Sequence, residues 1–423
     1  MRMDFKLKPL AAILAASSLV SPVFANEGNV PKGVPQLDHV FLIMMENHGY
    51  SQIVGNPYAP FVNEYIKKVN VGTNYYAVAH PSLTNYLEVT GGSNFGVLND
   101  NSPDWHDMNC ITNIASATTG FDVSATPPVC PIWGTGTDAA TPVIDYSNET
   151  SPPSITAVTE IDGIASYAAD KNISGKTIAD QLTEFGKSWK SYQESLPSTG
   201  ADLVDYSDGF FTNNSDFAAI LPQQSPTPTT ANVVQLYASK HDPFVYFRSV
   251  EENELDHIVG FEGPKGLFDD LNSGHVPHYS YIVPNQCNDQ HGKNNGTLAC
   301  YADPNDNGTQ TGLNPGLIYQ GDLTLRALVN AIHSSPVWQN GNNAIVIIWD
   351  ENDYSQAPYP NQVLLTVDTN YGPHNVKSSK FYTHFSLLKS IESGLRLPCL
   401  NHACDDNADV MTDLFAGSDR DKW

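Results

Sequence analysis

Two apolar runs in this sequence end in the same abrupt way, and that ending limits what the chain can build. Val40–Met45 (VFLIMM) runs straight into Glu46 and Asn47, and Ile345–Trp349 (IVIIW) runs into Asp350, Glu351, Asn352 and Asp353. Apolar runs without a polar interruption read as strands buried on both faces, the habit of parallel sheets covered by helices. Phe244–Arg248, Tyr279–Val283 and Val363–Val367 are further strand candidates, and the stretches 177–192, 322–335 and 380–395 carry amphipathic, helix-like patterns. The alternation predicts an α/β fold with a mostly parallel central sheet flanked by helices. Ligands of such sheets bind beyond the carboxyl ends of the strands, where both acidic clusters fall.

The first residues carry Arg2, Lys6 and Lys8, then an apolar stretch from Leu10 to Val20, then small residues at Val23 and Ala25. This pattern predicts a secretory signal peptide over 1–25, too short in its apolar part to span a bilayer. The remaining 26–423 is expected to form a single domain, secreted or periplasmic, with no integral membrane segment once the leader is removed. The stretch 99–174 is rich in Ser, Thr, Ala and Pro; it breaks the alternation and reads as an inserted cap. Six cysteines fit an oxidising compartment. Sequence proximity suggests the pairs Cys110–Cys130, Cys287–Cys300 and Cys399–Cys404, among the fifteen connectivities that six cysteines allow. A formal charge of −25 excludes a broad surface for nucleic acid or anionic membrane. An anionic substrate would need a local positive centre, and a bound metal is the natural one.

Glu46 alone could be a helix cap or a solvated turn residue, but two acidic clusters at two strand ends, with histidines near, are what a divalent cation requires. The stretch PNQCNDQHG adds Asp289 and His291 after a third apolar run, with an Asx-rich turn as the other reading. Ser82 follows a proline at an expected helix start; it is either an N-cap or a nucleophile facing the positive end of the helix. Asn85 lies one turn on, and His80 just before it is a phosphate contact or a turn residue. At about 100° per residue, His384 falls in an apolar arc with Phe381, Phe385, Leu388, Ile391 and Leu395, a placement that suits a core histidine or a ligand. His374 lies in a polar loop. Neither a glycine-rich nucleotide fingerprint nor a GxSxG elbow is present, which disfavours kinases and α/β-hydrolase lipases.

In order along the chain, VFLIMMENHGY, AHPSLTNYLEVTGG, PNQCNDQHG, IIWDEND and FYTHFSLLKSIESGLRLPCLNHACD resemble the bacterial phosphoesterase family of phospholipases C and acid phosphatases. That family belongs to the alkaline phosphatase superfamily, and the similarity is strongest to secreted zinc-dependent phospholipases C. The resemblance implies an alkaline phosphatase-like fold, Ser82 as nucleophile and Asn85 as an amide on a phosphoryl oxygen. It implies Glu46, Asn47, Asp350 and Glu351 as metal ligands, with Asp289 and His291 at a second metal or phosphate position. His384 matches the family's C-terminal histidine, and His80 and His374 are candidate substrate contacts. The expected cofactor is a divalent metal, zinc first, with one site expected and a second left open.

Phospholipase C action on glycerophospholipids is therefore the leading expectation. An acid phosphatase or nucleotide phosphodiesterase on the same scaffold is the alternative. A secreted calcium- or carbohydrate-binding protein is the non-enzymatic one, against which the hydroxyl at Ser82 argues.

Overall fold

The computed structural model describes residues 27–95, 97, 100, 103, 143–145, 160–162, 173, 175–196, 237–292, 300–303, 308–352 and 361–415. The expected leader, most of the 99–174 stretch and the Cys110–Cys130 pair lie outside them. A central sheet is built from β1 (His39–Met45), β2 (Asn70–Gly72), β3 (Trp189–Gln193), β4 (Ile258–Gly260), β5 (Tyr279–Val283), β6 (Asn343–Trp349), β7 (Leu365–Thr369) and β8 (Lys377–Ser378). Their spatial order is β8-β2-β7-β6-β1-β5-β3-β4. All run the same way except β7, which is antiparallel to both β6 and β2. The sheet is mostly parallel and the fold is α/β.

β1 lies between β6 and β5, with Met45 beside Trp349 and Ile43 beside Ile282. Every residue of β6, and all of β1 after His39, is buried. Each such aliphatic side chain contributes about 1.5–3 kcal/mol on burial, so an aspartate at Ile43 or Ile347 would leave an unpaired charge in the core.

Three long helices matter for the site: α1 (Ser82–Gly91), α2 (Pro315–Ser334) and α3 (His384–Leu395). All ten residues of α1 are buried, and it packs against α3. Gly92 closes α1 at φ 68°, and a Cβ there would lie 2.4 Å from the Leu400 carbonyl oxygen, so close approach as well as backbone geometry requires glycine.

Several expected elements differ. The helix expected over 177–192 stops at Glu184, Gly186 adopts φ 66°, and Trp189–Gln193 becomes β3. The strand expected over Phe244–Arg248 is a 3₁₀ turn, Pro243–Tyr246, followed by a helix from Arg248. The last helix begins at His384 because Tyr382 and Thr383 pair with Tyr75 and Tyr76. Disulfides join Cys287 to Cys300 and Cys399 to Cys404. Among the described residues, no helix is long and apolar enough to cross a membrane.

Candidate active site

The carboxyl ends of β1, β6 and β5 face one another because these strands are neighbours in parallel. The Asp350 N–H donates to the Met45 carbonyl, and the Glu46 N–H donates to the Asp289 carbonyl. Backbone hydrogen bonds thus bring together three acidic residues that the sequence separates widely. Asn47 turns left-handed at φ 62°, and its N–H donates to Asp350 Oδ1 at 3.0 Å.

Ser82 enters from α1. Pro81, not Ser82, occupies the N-cap, and it offers no side-chain cap to this helix. The Ser82 hydroxyl instead donates to Glu46 Oε2 at 3.2 Å and reaches Glu351 Oε1 at 3.4 Å. Asn85, three residues on and so on the same face, donates to Glu351 Oε2 at 3.0 Å and accepts the N–H groups of Val78 and Ala79. His80 Nδ1 lies 2.7 Å from Glu351 Oε2 at the rim, its side chain 21% exposed.

A short 3₁₀ turn, Ser239–His241, supplies two residues that the sequence reasoning missed. His241 Nε2 lies 3.0 Å from Glu46 Oε1, and its Nδ1 lies 3.2 Å from Asp289 Oδ2. The ring stacks on Tyr86 of α1, with centroids 5.3 Å apart and planes 7° apart. Asp289 reaches the cluster through this imidazole, the arrangement in which a carboxylate orients a metal-binding histidine. His291 is close by: its Nδ1–H donates to the Gly292 carbonyl at 2.8 Å, and Nε2 lies 3.2 Å from Lys240 Nζ.

Burial raises the Glu46 carboxyl from its ordinary 4.5 to about 7. Burial, and then the charge of Glu46, pushes Asp289, Asp350 and Glu351 well above the usual carboxylate range. Four such groups cannot all ionise in a low-dielectric pocket without a cation. Their donor atoms fit one. Asn47 Oδ1 and Asp350 Oδ2 are buried without a hydrogen-bond partner, Glu46 Oε1 and Asp289 Oδ2 face the His241 ring, and Glu46, His241 and His291 each offer an atom within 4.8 Å of the others. This is a possible metal site of mixed carboxylate and imidazole donors.

The raised carboxyls have a consequence for the metal-free protein. A group whose folded value lies above its unfolded one adds stability that is complete below the unfolded value and is lost as pH rises through the folded one. Glu46 and Asp242, both raised to about 7 by burial, therefore favour the fold under acid conditions. Calorimetry in chelator should show the melting temperature rising as pH falls from about 8 to about 5. Metal-loaded protein should lose its extra stability over the same range, because protons compete for the ligands. A metal-free melting temperature that falls on acidification would contradict the assignment.

Two expected contacts are corrected. His374 is exposed in the loop after β7. Because β7 runs antiparallel, pairing Thr369 with Ala344, that loop lies at the opposite end of the sheet from Glu46 and Asp350. His384 is buried and inside the apolar arc, but both ring nitrogens are engaged elsewhere: Nδ1 with the Tyr75 hydroxyl at 2.7 Å, and Nε2 with the Asp350 carbonyl at 2.7 Å. Burial lowers its pKa to about 4, so the ring is neutral. His384 holds the backbone of Asp350 rather than a ligand. His384→Gln should cost about 1–3 kcal/mol of stability, read by denaturant melts, with turnover per folded molecule changed less than tenfold. A large loss of turnover at unchanged stability would restore it as a ligand.

A model of the Phosphoesterase family matches residues 56–299, and the chain belongs to that family. It is a hydrolase acting on phosphoric esters. It is 22% identical over 414 residues to a phosphatidylinositol-3-phosphatase of Mycobacterium tuberculosis, covering 97% of this chain and 94% of that protein. It is also 22% identical over 399 residues to an acid phosphatase of Aspergillus fumigatus, covering 92% of this chain but 61% of that longer protein. A solved alkaline phosphatase superfamily protein of Vibrio parahaemolyticus superposes over 86% of this chain and 68% of its own, at 12% identity and a TM-score of 0.41.

Proposed function

We propose that this chain hydrolyses phosphomonoesters in two steps through a covalent phosphoseryl intermediate at Ser82, with a divalent metal at the carboxylate–histidine cluster. The observation that carries the reading is the Ser82 hydroxyl, held between Glu46 and Glu351 at the start of a buried helix and not used as a cap. A divalent cation held by Glu46, Asn47, Asp350 and His241 would neutralise phosphoryl oxygens and acidify the hydroxyl. The donor types suit zinc. As Ser82 Oγ attacks phosphorus, its proton passes to Glu351, whose other oxygen is held by His80 and Asn85. The phosphorus–oxygen bond to the alcohol breaks, and the departing oxygen takes a proton from solvent. Water then attacks the phosphoserine and releases a proton to solvent, and Ser82 Oγ departs with the proton that Glu351 held.

Between phospholipase C and phosphatase action, the relatives' names favour the phosphatase. The apolar N-terminal run and the cysteine pairs support export to an oxidising compartment, the setting proposed for the activity. Metal-loaded protein should release inorganic phosphate from a soluble phosphomonoester faster than it releases diacylglycerol from phosphatidylcholine. Diacylglycerol release without monoester turnover would overturn the reading in favour of a phospholipase C.

A further inference from the structure

Beside the carboxylate cluster, an ammonium and a helix N-terminus converge on one carboxylate. Lys240, adjacent to His241 in the same 3₁₀ turn, places Nζ 3.1 Å from Asp100 Oδ2 and 3.2 Å from His291 Nε2. Asp100 Oδ1 accepts the N–H of Leu83 at 3.1 Å, the amide next to Ser82 at the positive end of α1. The carboxylate of Asp100 thus bridges the two positive features that flank the proposed nucleophile. Its side chain is 32% exposed, against 16% for Lys240. The charge of Lys240 also reaches inward, lowering the Glu46, Asp289 and Glu351 carboxyls against the burial that raises them.

A phosphomonoester above about pH 6 is a dianion with three free oxygens, whereas a diester is a monoanion with two. The metal and Ser82 serve what the two share. The extra charge and oxygen of the monoester need another donor, and in so acidic a protein a fixed cation is required for it. We propose that Lys240, with the Leu83 N–H, is the specificity-determining contact for the dianionic phosphoryl group, and that Asp100 occupies this position in the free enzyme until substrate displaces it. The inference rests on the phosphatase reading and deepens it by naming the residue that separates monoesters from diesters. Asp100 acts as an internal competitor for the same two donors. It weakens binding of product phosphate along with binding of substrate.

The test compares p-nitrophenyl phosphate with bis-p-nitrophenyl phosphate at neutral pH, using the holoenzyme. In Lys240→Met, kcat/KM for the monoester should fall at least tenfold further than for the diester, and Lys240→Arg should recover most of the preference. Calorimetric titration with inorganic phosphate should show weaker binding in Lys240→Met, a readout independent of turnover. Asp100→Asn should lower KM for the monoester and tighten phosphate inhibition several-fold, a second line of evidence if Lys240→Met folds poorly. Equal losses for both esters in Lys240→Met, or a raised monoester KM in Asp100→Asn, would overturn the inference. A wild-type enzyme that prefers the diester would overturn the phosphatase reading itself. One that prefers the monoester, with that preference intact in Lys240→Met, would overturn this inference alone.

Discussion

Ser82→Ala should fold, bind metal and lose roughly ten-thousand-fold or more in turnover of a phosphomonoester. The alternative role, helix capping, would cost about 1 kcal/mol of stability and leave the rate nearly intact. The structure makes the two outcomes separable, because Pro81 holds the N-cap and the Ser82 hydroxyl donates to Glu46 instead. Removing that hydroxyl deletes no cap. A drop in rate without a drop in melting temperature is therefore the expected pair of results. Ser82→Cys and Ser82→Thr are useful companions, since each keeps a nucleophilic atom while changing its size and basicity. Near-normal turnover in folded Ser82→Ala would end the covalent mechanism.

The second large effect concerns the cation. Chelation should abolish turnover, and added zinc should restore it. Glu46→Gln should abolish turnover as well, because Glu46 lies against both Ser82 and His241 and no other carboxylate does so among the described residues. Elemental analysis of Glu46→Gln and His241→Ala should show metal content falling well below that of the wild type. Asp289→Asn should be milder, at about 10–100-fold in metal affinity, if its part is to orient His241. Full activity in protein shown to be metal-free would contradict the site. The melting temperature adds a check: Glu46→Gln replaces a group that burial has already pushed toward its neutral form, so in chelator it should be no less stable than the wild type. Loss of metal without loss of fold is the signature of a ligand rather than of a core residue.

Much of this was legible where a residue's surroundings are set by its own neighbours in sequence. β1 and β6 were readable because both faces are buried and the apolar run stops at the sheet edge, which placed Glu46 and Asp350 together through strand adjacency alone. The disulfides at Cys287–Cys300 and Cys399–Cys404 were readable because their loops are short. His241 and Lys240 were not. They sit in a 3₁₀ turn with no periodicity, ahead of an aromatic and β-branched run that mimics a strand, and contacts distant in sequence, among them the stacking of His241 on Tyr86, carry them into the site. The one signal available was a polar Ser-Lys-His-Asp group directly before Pro243. β3 was hidden because a helical pattern runs on past Gly186, whose left-handed turn ends it. The antiparallel direction of β7 has no local signature at all, and it is what carries His374 to the far end of the sheet. For His384 the arc predicted burial correctly, yet burial could not say which atoms its nitrogens would meet.

Trapping the intermediate tests the central claim most directly. Metal-loaded protein mixed with excess phosphomonoester, quenched in acid within a turnover and digested, should yield the peptide containing Ser82 carrying one phosphoryl group. The modification should be absent from protein treated with chelator before mixing. A burst of alcohol release that matches the enzyme concentration should accompany it wherever the second step is the slower one. Quenched protein with no phosphorylation at Ser82, under conditions where alcohol is released in such a burst, or with the phosphoryl group on another residue, would contradict the proposed mechanism.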